Sequence, residues 1–230
     1  MKIGVVLLCR FSSSRLPGKI FKQIEGRPLI DYIVERILNV VSLGNLVIAT
    51  STDPSDDQIA AYCLQHGFEV YRGSLANVAE RFMNAAQKKE WDYAVRINGD
   101  NLFVEMDTMR QMINLARTGE YDFLSNTHEK TFPQGMSVEV VKMDFYKKVY
   151  DLFSCAEDFE HVTYYLHRNP VGRFYFLKNT TVPGAGSLKF AIDEQKDFDL
   201  GQQIFSRFKG PHINYGMKAI IEIYNQLKNE

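Results

Sequence analysis

The sequence predicts an α/β domain built on a mostly parallel, doubly wound sheet, and three observations carry that expectation. The chain opens on Ile3-Gly4-Val5-Val6-Leu7-Leu8-Cys9, a continuous apolar run rich in branched residues, which is the pattern of a strand covered on both faces. Short apolar runs of the same kind then alternate with stretches of helical periodicity across short connections, the βαβ rhythm of a parallel sheet. A chain of 230 residues, 45% of them hydrophobic, is long enough for one such domain with a sizeable core.

The elements follow in order. Pro28 opens a helix at its first turn, and Leu29, Ile30, Ile33, Val34, Ile37, Leu38 and Val41 recur at helical spacing, a stripe that reads as core packing. Gly44-Asn45 stops it, and residues 46–50 form a second buried strand. Asp53-Pro54-Ser55-Asp56 starts a helix to about Gln65, closed by Gly67. A short strand over 68–71, a helix over 77–89 and a strand over 94–97 continue the rhythm. After Asp100 it changes. A helix over 106–117 leads to a strand over 122–125, a polar loop over 127–136 and a weakly alternating strand over 137–141. Helices over 143–153 and 157–168, an edge strand over 174–177, a strand over 188–192 and helices over 195–207 and 214–228 complete the chain. Residues 126–186 read as a small insertion or lobe on a single domain spanning 1–230, placed to hold a second substrate or a dimer contact.

Composition excludes several classes. A net charge of −1 lacks the broad basic footprint of a nucleic-acid or membrane-surface binder. No apolar run reaches the length of a membrane-spanning helix, and the N-terminus enters the first strand without a signal-peptide pattern. Cys9, Cys63 and Cys155 show no C-x-x-C spacing. Buried free thiols in a reducing cytoplasm, with no zinc site, are the expectation.

The first strand runs straight into Arg10-Phe11-Ser12-Ser13-Ser14-Arg15-Leu16-Pro17-Gly18-Lys19. In open α/β sheets ligands bind beyond the carboxyl ends of the strands, so this loop lies where a ligand would. Small hydroxyl side chains let backbone N–H groups approach phosphate oxygens, and Arg10, Arg15 and Lys19 supply charge and forked donors. Neither a Walker A spacing nor a dinucleotide G-x-G-x-x-G is present. By composition alone an ordinary solvated loop remains open. Asp100 and Asp193 each end a predicted strand. Two carboxylates converging on a polyphosphate suit Mg²⁺, although Asp is common at strand ends and spacing cannot show convergence.

The order R-x-x-S-S-R-L-P-G-K resembles the nucleotide-binding loop of the cytidylyltransferases that activate acidic sugars, the CMP-Kdo and CMP-acylneuraminate synthetases, and above all the branch related to spore coat polysaccharide biosynthesis protein F. Four further segments agree in order. Asn98-Gly99-Asp100 is similar to the family's metal motif, and Pro133-Gln134-Gly135-Met136-Ser137-Val138-Glu139-Val140 to its P-D/Q-G-L-D-V-E-V. Glu160-His161-Val162-Thr163 with Arg168-Asn169-Pro170 resembles R-E-H-V-T and R-N-P, and Lys189 to Asp193 with Asp197-Phe198-Asp199-Leu200 resembles the late R-L-T-V-D segment. The matches span residues 3 to about 200.

The resemblance implies a Rossmann-like nucleotide-diphospho-sugar transferase fold and a Mg²⁺-dependent transfer of CMP from CTP to an acidic sugar or sugar phosphate, with release of pyrophosphate, in surface polysaccharide precursor synthesis. It implies Asp100 and Asp193 as metal ligands, Arg15, Lys19 and Asp100 as catalytic, and Arg10, Ser12, Ser13, Ser14, Arg15, Lys19, Arg72 and Arg81 as nucleotide contacts. Backbone N–H groups of Ser12 to Ser14 would add donors. Asn98 and His161 become acceptor contacts, and a homodimer is plausible. Departures are Asn101-Leu102 where an acidic residue and Pro are usual, Cys9 for Ala, Lys189 for Arg and no basic residue just before Glu160. The first removes a negative charge beside the expected metal. Cytosine rests on the resemblance alone. A sugar 1-phosphate nucleotidyltransferase using another nucleotide, or a nucleotide-binding relative with a decayed metal site, remains open at this stage. A glycosyltransferase would show a D-x-D metal motif, which Asp100-Asn101-Leu102 is not.

Overall fold

The computed structural model describes residues 1–230. Nine strands form, β1 (Ile3–Leu8), β2 (Gln23–Ile24), β3 (Arg27–Pro28), β4 (Leu46–Ser51), β5 (Val70–Gly73), β6 (Tyr93–Asn98), β7 (Phe123–Ser125), β8 (Glu139–Lys142) and β9 (Phe174–Phe176). Seven make one sheet in the order β5-β4-β1-β6-β8-β7-β9, and β2-β3 is a separate small hairpin. β1 pairs in parallel with β4 and β6, β4 with β5, and β7 with β9. β8 alone runs antiparallel, between β6 and β7. The expected mostly parallel, doubly wound α/β architecture is what forms.

The helices are α1 (Leu29–Leu38), α2 (Asp57–Gln65), α3 (Val78–Lys88), α4 (Met106–Ala116), α5 (Met143–Tyr150), α6 (Ala156–Glu160), α7 (Tyr164–Arg168), α8 (Gln195–Phe205) and α9 (Met217–Lys228). Side chains alternate across a strand, and β1 shows what that does here. Val5 and Leu7 join one apolar layer with Ile33 and Ile37 of α1, Met109 and Met112 of α4 and Ile220 of α9. Val6 and Leu8 join the other, with Phe82 and Ala86 of α3 and Tyr146 of α5. Both faces of β1 are therefore dry, which is why its sequence is apolar throughout.

Three expectations change. Residues 188–192 form no strand; the segment is extended, with a single bridge between Lys189 and Gln134. Phe190, Ala191 and Ile192 are buried all the same, so their apolar pattern reflects packing rather than a sheet ladder. The expected helix over 157–168 breaks into α6 and α7 around Val162, a buried β-branched residue at φ 56°. The last helix begins at Met217, after a 3-10 turn at His212–Asn214. Residues 126–186 feed β8 and β9 into the main sheet and also carry α5 to α7. No helix is long and apolar enough to cross a membrane.

Candidate active site

The site lies beyond the carboxyl ends of β1 and β6, the central parallel pair. β1 ends at Leu8 and releases the 9–19 loop, while β6 ends at Asn98 and releases Gly99 and Asp100. The two exits lie almost on top of each other, because the Gly99 N–H donates to the Leu8 carbonyl at 2.8 Å. A Cβ on Gly99 would stand 2.7 Å from that of Cys9, so a side chain there would push the exits apart.

The loop is held from inside. Buried Asp56 accepts the Phe11 N–H at 2.6 Å through one oxygen, and the Ser51 N–H at 2.9 Å and hydroxyl at 2.5 Å through the other. Burial would push the Asp56 carboxyl up, but these hydrogen bonds outweigh it and keep its pKa low. The Phe11 carbonyl accepts the N–H groups of Ser13 and Gly18, both at 3.0 Å. The Ser13 amide is thus committed inside the loop, while those of Ser12, Ser14 and Arg15 donate to nothing in the protein. Ser13 and Ser14 line the cleft and Ser12 does not; its side chain is exposed outside it.

Lys19 is the centre of the arrangement. Its Nζ donates to the Ile192 carbonyl at 2.6 Å and stands 3.8 Å from Asp100 Oδ2 and 3.7 Å from Asp193 Oδ1. The two expected metal carboxylates do converge on Lys19, although one follows β6 and the other comes directly after the extended 188–192 segment. That segment is tied down at both ends: Ile192 N–H donates to the Asp100 carbonyl at 3.0 Å, and Phe190 and Ala191 N–H donate to the Gln134 carbonyl at 2.7 and 3.0 Å. Arg15 reaches Asp193 at 3.0 Å from above. Lys189 bridges Asp193 and Asp197 at 3.2 and 2.7 Å. Burial works against its charge, but those carboxylates outweigh it and raise its pKa. Burial is the largest cause holding Asp100 above the ordinary carboxylate range; Lys19 pulls it back and Asp193 pushes it further up.

The cleft measures about 310 Å³ and is lined by Arg10, Arg15, Lys19, Arg81, Asn98, Asp100, His161 and Asp193, among others. Arg10 approaches Glu160 at 3.9 Å. His161 caps the C-terminus of α6 and is exposed to the cleft. Arg81 is buried rather than on a solvated helix face; its Nη1 donates to the Ser74 carbonyl at 2.7 Å and its Nε has no partner. Arg72 is not brought to the cleft. Its guanidinium donates to the Ser51 and Asp53 carbonyls at 2.9 and 3.2 Å and pairs with Asp57 at 2.7 Å, so it holds the chain after β4 instead. Asn101, the departure from the family motif, is buried and donates to the Ser137 hydroxyl at 2.9 Å. Its side chain serves the fold and is not part of the cleft lining.

A cytidylyltransferase family model matches residues 4–210. The chain belongs to the cytidylyltransferase family. It is 28% identical to spore coat polysaccharide biosynthesis protein SpsF of Bacillus subtilis, over 96% of this chain and 93% of that one. It is 34% identical to a 3-deoxy-manno-octulosonate cytidylyltransferase of a Psychrobacter species, over 50% of this chain and 42% of the other. Among solved structures, a cytidylyltransferase of Leptospira borgpetersenii superposes with a TM-score of 0.92 at 24% identity, covering 100% of this chain and 96% of the other. A CMP:2-keto-3-deoxy-manno-octonic acid synthetase complexed with CTP gives 0.66 at 16%, covering 90% and 99%. Both likenesses concern the fold.

One residue in the cleft and one behind it stand out that sequence reasoning did not assign. Arg96 lines the cleft, on the same face of β6 as Asn98; period-two alternation along 94–98 was the available signal. Glu139 lies behind it, 1% exposed, and accepts from Arg96, His167 and Thr163, each at 2.6 Å. Burial would raise its pKa, but the His167 hydrogen bond, the Arg96 charge and Thr163 together bring it down to about 2.

Proposed function

We propose that this protein transfers CMP from CTP to an acidic sugar or sugar phosphate and releases pyrophosphate. The observation that carries the reading is Lys19 standing between Asp100 and Asp193 at the mouth of β1 and β6. Arg10, Arg15 and Lys19 bind the β- and γ-phosphates, with the free amides of Ser14 and Arg15 adding directed donors. Arg15 and Lys19, now paired with carboxylates, turn to the phosphates as these arrive. The same cations then neutralise the charge that builds on pyrophosphate as it departs. Asn98 and His161 orient the acceptor so that its oxygen attacks the α-phosphorus in line, a contribution of positioning rather than covalent chemistry.

Asp100 and Asp193 offer hard oxygen donors suited to Mg²⁺. No group of three or more ligating side chains gathers anywhere in the molecule, so phosphate oxygens and water would have to complete the ion's shell. When bound there, Mg²⁺ would neutralise charge at the α-phosphate.

The test is pyrophosphate release from CTP, UTP, GTP, ATP and dTTP with magnesium, against a panel of acidic sugars and sugar phosphates. Release with CTP alone, dependent on one acceptor, is the expected outcome. Release with another nucleotide would overturn the cytidine assignment and leave the chemistry.

A further inference from the structure

We propose that Arg96 is the anion receptor for the acceptor, reading a carboxylate or phosphate on the second substrate, and that Glu139 is the positioning residue that aims it. This rests on the cytidylyltransfer reading and names the recognition element of its second substrate.

Arg81 and Arg96, the first buried and the second half-buried, differ in their surroundings. Arg81 has no ion-pair partner, and its Nη1 is spent on the Ser74 carbonyl at 2.7 Å, in the turn between β5 and α3. Arg96 stands on β6 two residues before Asn98, and both line the cleft. It therefore lies on the same face of the strand as the residue assigned above to the acceptor. Its Nη1 is held by Glu139 at 2.6 Å, while its Nε is buried with no hydrogen-bond partner. A buried guanidinium nitrogen left unpaired is costly unless something outside the protein pairs it. Nε and Nη2 together form the fork that grips a carboxylate or phosphate with two parallel bonds.

The pairing with Glu139 sets what kind of anion suits the site. The ion pair is close to neutral as a unit, so Arg96 offers directed donors with little net charge. That favours a single carboxylate or phosphate over a triphosphate. Glu139 also accepts from Thr163 at 2.6 Å, two residues beyond His161. Between them Val162 makes a tight turn at φ 56°, with the Thr163 N–H donating to the His161 carbonyl at 2.5 Å. A β-branched residue at positive φ is a strained conformation. One carboxylate thus holds both walls of the acceptor side, the Arg96 fork and the turn that presents His161.

The experiment uses the full chain and the variants R96K and E139Q, with melting curves to confirm that each is folded at the assay temperature. R96K keeps the charge facing Glu139 and loses the fork. CTP binding is measured by calorimetry, and sodium glycolate and ethylene glycol are titrated into the protein with and without CTP. Expected results are CTP affinity within twofold of wild type in R96K, saturable glycolate binding to wild type with none for ethylene glycol, and at least tenfold weaker glycolate binding in R96K. With the best acceptor of the panel, KM for that acceptor rises at least tenfold in R96K and in E139Q while KM for CTP stays within twofold. A tenfold loss of CTP affinity in R96K would assign Arg96 to the nucleotide. Equal glycolate binding in wild type and R96K, or none in wild type, would also overturn the inference. Failure of all five nucleotides to bind would sink the cytidylyltransfer reading instead, and glycolate titration of the nucleotide-free protein still reads Arg96.

Discussion

Lys19 and Asp100 show how the demands of the site run against those of the fold. Burial makes the ionised Asp100 carboxylate unfavourable, and Lys19 and Arg96 offset only part of that cost against the push of Asp193. A carboxyl whose pKa is raised on folding subtracts stability when ionised. The penalty is absent below the unfolded value of roughly pH 3.9, grows as pH rises and is complete above the raised value. Asp100→Asn removes it. At pH 7 the variant should melt no lower than wild type, with any gap closing toward roughly pH 4, and its turnover should fall by about 10²-fold or more. A clear drop in its melting temperature at pH 7 would contradict the account. Lys19→Ala should lose turnover by about the same factor, because the ammonium serves both carboxylates and the departing charge. Steady-state pyrophosphate release checks both.

At the scale of elements, the site depends on a segment that no strand holds. Asp193 reaches Lys19 because residues 190–192 are extended and hydrogen-bonded to Gln134 and Asp100 rather than to a sheet neighbour. Gly135 makes that approach possible. It sits at φ 97°, and a Cβ there would come within 2.2 Å of the Ala191 nitrogen. Gly135→Ala should therefore displace the segment bearing Asp193. We expect turnover to fall at least tenfold, and stability by about 1–3 kcal/mol from overpacking, although Gly135 does not line the cleft. Kinetics and denaturant unfolding on the same preparation measure the two effects, and wild-type turnover would show that Asp193 reaches the site by another route. The break between α6 and α7 is the other such device, since a continuous helix would not form the Val162 turn that places His161 beside the cleft and Thr163 on Glu139.

Across the whole molecule, Glu139 ties together parts that are far apart in the chain. It sits on β8, the one antiparallel strand of the main sheet, and accepts from Arg96 on β6, His167 on α7, Thr163 just before α7 and Ser125 on β7, the last at 3.2 Å. With its pKa brought down to about 2, it contributes stability that is fully present above the unfolded carboxyl value. That contribution is lost as pH falls from there toward 2. Glu139→Gln should cost on the order of a few kcal/mol at neutral pH, and the difference from wild type should shrink steadily below roughly pH 4.5. Urea unfolding across that range tests this, and a difference independent of pH would show that Glu139 acts through shape alone.

The sequence by itself determined the doubly wound sheet, the cationic loop after β1 and the strand-end position of Asp100. Each of these is local: a strand buried on both faces must be apolar throughout, and a loop at its carboxyl end must expose its polar residues. Local pattern also carried the family motifs, and with them the family. It did not show that Asp193 meets Asp100, that Arg72 is spent on Ser51, Asp53 and Asp57, or that Asn101 turns to Ser137. Nor did it assign Arg96, Glu139 or Asp56, each of which meets a partner more than forty residues away. Only the tertiary structure decided these. Burial and alternation follow from near neighbours in the chain, whereas which donor meets which carboxylate depends on how β8 inserts between β6 and β7 and where the 188–192 segment lies against Gln134.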